Sequence, residues 1–113
     1  MQAWGGGTMK LQQLKYLLAI VDNGLNITAA AERLYTSQPG VSKQLKLLEQ
    51  ELGVQLFVRK GKSLNGITLA GHQVISRARA IMREVEEIRV VAMRHHREQS
   101  SHTSLSGTQP RRG

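Results

Sequence analysis

Apolar residues along the chain recur first at helical and later at alternating spacing. Leu11, Leu14, Leu17, Leu18 and Val21 share one stripe of a helix that starts after Lys10 and is stopped by Asn23-Gly24. Asn26 can cap a second, short helix, in which Ile27, Ala30, Ala31 and Leu34 repeat at i, i+3, i+4 and i+7. The small side chains Ala29, Ala30 and Ala31 let another helix approach closely. The pattern breaks at Tyr35, and Thr36 or Ser37 can cap a third helix that holds Pro39 in its first turn, where the missing N–H costs nothing. Two helices therefore meet across a tight turn. In the third helix Val41, Leu45, Leu48 and Leu52 form the core stripe, while Gln38, Ser42, Lys43 and Lys46 project from a different side.

Gly53 supplies a left-handed stop, after which Val54, Leu56 and Val58 alternate with Gln55, Phe57 and Arg59 in the period of a short strand. A turn over residues 60–66 and a return strand from Ile67 complete a β-hairpin with a basic tip. Thr68 caps a fourth helix, Leu69 to about His95, whose Val74, Ala78, Ile81, Val85, Ile88 and Ala92 form a heptad seam. Such a helix is about 40 Å long, too long to fold back over a domain this small, so the seam calls for a partner. The simplest partner is the same helix of a second copy. The expected organisation is a disordered leader (1–8), a mainly α domain of three helices plus a two-stranded wing (9–68), a linker and dimerisation helix (69–95) and a Ser/Thr-rich disordered tail (96–113). The triple glycine Gly5-Gly6-Gly7 has no preceding strand and is not read as a phosphate loop.

Composition narrows the function. With 113 residues there is room for one domain and little volume for a cleft between lobes, which favours binding over catalysis. The chain has no cysteine, which excludes a disulfide scaffold and sulfur-ligated zinc. No apolar run reaches a membrane span, and the N-terminus lacks the pattern of a signal peptide, so a cytoplasmic setting is expected. A formal charge of +8 points to a polyanion, because Lys and Arg that neutralise phosphates release condensed counterions.

Candidate chemistry agrees with binding. Glu84, Glu86 and Glu87 lie on polar faces of the long helix with Arg83 and Arg89, and form no acid/base pair; the chain is not read as an enzyme. His95, His96 and His102 offer no fixed ligand geometry, and no metal or other cofactor is expected. Two helices across a tight turn, the second basic and polar at its N-terminal end, are the arrangement that places a recognition helix in the major groove, with the hairpin as a wing. In that geometry Gln38 reads adenine, Ser42 a base edge or phosphate, and Lys43 guanine acceptors or phosphate, while Arg59, Lys60 and Lys62 lie over the backbone or adjacent minor groove. A membrane surface is disfavoured, since no large apolar face stands opposite the tail arginines.

The run NITAAAERLYTSQPGVSKQL from Asn26, followed by LEQELG from Leu48, LFVR ending at Arg59 and TLAG ending at Gly71, closely resembles the N-terminal domain of LysR-type transcriptional regulators. The resemblance spans Met9 to about Met93. MKLQQLKY from Met9 and LYTSQPGVSKQ from Leu34 are most similar to the CysB-like branch, which governs sulfur assimilation. It implies a winged helix-turn-helix that dimerises through the linker helix and binds pseudo-palindromic promoter DNA. By position, the resemblance places Gln38, Pro39, Ser42 and Lys43 toward the major groove, Arg59 in the wing contact and Thr28 near the backbone. Ser37 and Lys46 flank that set. Lys43 stands where an Arg is common in the family, and it lacks the bidentate fork that reads guanine. Family members continue into an effector-binding domain, whereas this sequence ends in SSHTSLSGTQPRRG, so no small-molecule response is expected of it. Two functions compete: a dimeric, sequence-specific DNA-binding module, and a truncated fragment that acts by heterodimerising with full-length relatives.

Overall fold

A computed structural model describes residues 8–106 as four helices and one β-hairpin: α1 Leu11–Asp22, α2 Ile27–Arg33, α3 Gln38–Leu52, β1 Phe57–Lys60, β2 Ser63–Ile67 and α4 Leu69–Ser106. The expected leader lies outside the described residues except for Thr8. The chain divides into two units between Ala80 and Ile81, and α4 runs through both.

The caps fall where the sequence places them. The Ala29 N–H donates to Asn26 Oδ1 at 2.9 Å and starts α2, and the Gly40 N–H donates to Ser37 Oγ at 3.1 Å and starts α3 with Pro39 in its first turn. Ser37, not Thr36, is the cap. Gly53 ends α3 in the left-handed region at φ 74°. The turn between α2 and α3 bends through Tyr35, also left-handed at φ 56°, a conformation that few side chains with a Cβ adopt. Leu14, Leu17 and Ile20 of α1, Ala30 and Ala31 of α2, and Val41, Leu45 and Leu48 of α3 close into one core. Leu11, expected in the first stripe, is exposed instead, because it stands at the very start of α1.

The hairpin differs from its expected form. Leu56 and Phe57 are consecutive and both buried, whereas Val54 and Val58 are exposed, so no alternation runs from Val54. The reason is that the chain enters β1 through non-ladder bonds: the Leu56 N–H donates to Glu49, and the Thr68 N–H donates back to the Leu56 carbonyl. The turn is also tighter than residues 60–66. Gly61, at φ 62°, closes it between Lys60 and Ser63, and β2 pairs Ile67 with Phe57, Gly66 with Val58, Leu64 with Arg59 and Ser63 with Lys60. The shift between Val58 and Arg59 leaves Asn65 unpaired as a bulge. Ser63 and Asn65 are weak strand formers, and the strand forms because Leu64 and Ile67 pack on the core.

Thr68 fastens the start of α4, accepting from the Gly71 N–H at 2.9 Å and donating to the Gln55 carbonyl at 2.7 Å. Gly71 lies against the Leu56 carbonyl oxygen, where any Cβ would collide. Ile75 and Ala78 then enter the core, and Arg79 Nη2 pairs with Asp22 Oδ1 at 2.7 Å, tying α4 to the end of α1. Ala78, expected in the dimer seam, is therefore already enclosed, and Val74 is half-buried against the same core. In the second unit Ile81 and Ile88 are exposed, Ile88 by 68%. The helix does not stop near His95: it continues to Ser106, since no Gly or Pro occurs between His95 and Gly107 and propagation is cheap once a helix exists. Of the expected tail, residues 96–106 are thus helical, and 107–113 lie outside the described residues. Among the described residues no helix is long and apolar enough to cross a membrane.

Candidate nucleic-acid interface

With Val41, Leu45 and Leu48 facing inward, helical geometry turns Pro39, Lys43 and Lys46 to the outside of α3, spaced four and three residues apart. Lys43 and Lys46 are both exposed. Gln38 and Ser42 stand on the flank of that stripe nearest the hairpin. Two shallow depressions, of about 360 and 370 Å³, run between α3 and the wing. One brings Gln38 beside Thr28 and Lys62; the other brings Ser42 and Lys46 beside Arg59 and again Lys62. Residues from α2, α3 and the wing tip thus share one surface. Lys60, on β1, and Ser37, Pro39 and Lys43 are exposed but line neither depression. Ser37 already spends its hydroxyl on the cap of α3.

Arg59 is engaged within the chain. Its Nη2 pairs with Glu49 Oε1 at 2.8 Å, and its Nη1 donates to Gln55 Oε1 at 2.7 Å and, less closely, to Glu49 Oε2 at 3.4 Å. Glu49, only 7% exposed, also accepts the Leu56 N–H at 2.7 Å through Oε2. Neither Glu49 nor Gln55 stands out in a sequence read for cations and base-reading amides. A signal is nonetheless there: Glu49 is four residues beyond Leu45 on the core stripe, a position where a carboxylate needs partners.

An α2-turn-α3 pair followed by a two-stranded wing and a long helix defines the winged helix-turn-helix class. Within that class the chain belongs to the LysR family: residues 11–72 match the family described as bacterial regulatory helix-turn-helix protein, lysR family. Among curated proteins it is similar to the HTH-type transcriptional regulator CysB of Haemophilus influenzae, 52% identical over 84 residues that make up 74% of this chain and 26% of the relative. It is also similar to the HTH-type transcriptional regulator SsuR of Burkholderia cenocepacia, 43% identical over 88% of this chain and 32% of the relative. The chain thus spans about a quarter to a third of the length of these relatives. Of solved structures, the DNA-binding domain of BenM in complex with benA site 1 DNA superposes with a TM-score of 0.71 at 32% identity, covering 78% of this chain and 97% of that one. The CbnR DNA-binding domain bound to DNA gives a TM-score of 0.63 at 39% identity, covering 74% and 99%.

Proposed function

We propose that the chain binds double-stranded DNA in a sequence-specific manner, as the DNA-reading part of a LysR-type regulator of the CysB-like branch, with promoters of sulfur-assimilation genes as its targets. The observation that carries this reading is the shared surface of Thr28, Gln38, Ser42, Lys46 and Lys62, polar and cationic along the exposed side of α3 and the wing tip. The N-terminal half of α3 enters the major groove, where Gln38 and Ser42 reach base edges, and Lys43, Lys46, Lys60 and Lys62 neutralise phosphates. Two neighbours of known structure were solved on DNA, at 32% and 39% identity.

The proposed reader is a homodimer. Ile81, Val85, Ile88 and Ala92 keep heptad spacing in the second unit, and the corresponding face of a second copy covers them. A longer relative with the same stripe offers the same seam for a mixed pair. The role is binding rather than catalysis, and its setting is the cytoplasm, where promoter DNA lies.

Titration of the purified chain against labelled duplex DNA over a range of salt concentrations tests the interface. Lys43→Ala, Lys46→Ala and Lys62→Ala are each expected to weaken binding and to lower the slope of log K against log salt by about one unit for each phosphate no longer neutralised. Unchanged slopes in all three would remove this face from the complex.

A further inference from the structure

Glu49 is a carboxylate in the lining of the surface proposed to meet phosphates, beside Ser42, Lys46, Arg59 and Lys62. In electrostatic terms alone it opposes a polyanion. Its geometry gives another role. It sits on α3, is almost wholly buried, and uses both oxygens: Oε2 takes the Leu56 N–H at the entry to β1, and Oε1 takes Arg59 Nη2 from within β1. Gln55 closes the outer side of the guanidinium. α3 and the wing are thus tied at two points of one side chain, and the Arg59 charge is already matched by a carboxylate.

Resting on the DNA-binding reading above, we infer that Glu49 is a positioning residue that, through Arg59, fixes the wing relative to α3 and so sets the discrimination between DNA sequences. Arg59 serves as the strut of the wing and not as an independent phosphate ligand. Neutralising Glu49 then removes a repulsive charge and loosens the wing at once: binding to any duplex strengthens, while preference for one sequence falls. A general loss of folded structure would weaken both.

The test uses the full chain, a duplex enriched from a random library by the unsubstituted protein, and a shuffled duplex of equal composition, with thermal melts confirming that each variant is folded. Glu49→Gln and Arg59→Gln are each expected to reduce the enriched-over-shuffled ratio by about tenfold, and the double variant by no more than either one. Glu49→Gln should also bind the shuffled duplex more tightly. Arg59→Lys keeps the charge without the fork and is expected to lose discrimination as Arg59→Gln does, with a salt slope unchanged from the unsubstituted chain. Losses that multiply in the double variant, or full discrimination in Arg59→Lys, would overturn the inference alone. Binding of neither duplex by the unsubstituted chain would overturn the DNA-binding reading with it.

Discussion

At the scale of single residues, the side chains that face outward on α3 divide by what they can recognise. Gln38 carries an amide that pairs bidentately with adenine, whereas Lys43 and Lys46 are point charges suited to phosphate. Gln38→Ala is therefore expected to relax the choice of base at one operator position, costing about 1–3 kcal/mol on the preferred duplex and little on a shuffled one; competition titration checks it. A uniform loss on both duplexes would make Gln38 a backbone contact. The cations are legible in the sequence because exposure and charge suffice to nominate them. The pairing of Arg59 is not, since its partner lies ten residues back on a different element, and only the fold shows that Glu49 turns toward the wing.

Among the elements, legibility follows how local the determining forces are. α2 and α3 start where expected because Asn26 and Ser37 act within three residues of themselves. The hairpin departs from its expected form because its determinants are distant: Glu49 takes the Leu56 amide, Thr68 grips the Gln55 carbonyl, and Leu64 is drawn into the core. The spacing of Val54, Leu56 and Val58 therefore does not translate into one buried face, since only Leu56 of the three is enclosed. The proposed seam of α4 likewise begins later than its spacing implies, because up to Ala78 the same stripe serves the domain's own core, and exposure starts at Ile81. Gly71 places the first turn of α4 against the Leu56 carbonyl just ahead of β1. Gly71→Ala must push the helix off the Leu56 carbonyl, and a loss of about 1–3 kcal/mol in denaturant unfolding is expected, with no change if the approach is loose.

For the whole molecule, the proposed function rests on two surfaces: one in the first unit proposed to meet DNA and one in the second proposed to pair copies. They are separable by substitution. Ile88→Asp places a charge where the single chain leaves the side chain exposed, so the product should be a folded monomer by sedimentation and circular dichroism. Ala78→Asp buries that charge in the core and should unfold the domain, at a cost of several kcal/mol. Dimers that persist with Ile88→Asp would place the pairing face elsewhere. A dimer carrying two readers must find two half-sites, and half-site spacing mirrors the symmetry of the protein. The most direct measurement is a selection of random duplex DNA by the purified chain, followed by titration of the enriched sequence and a scrambled control at two salt concentrations. The account predicts an inverted repeat bound far more tightly than the control, at both salts. Equal binding of both duplexes, falling steeply with salt, would contradict it and leave only a basic protein attracted to a polyanion.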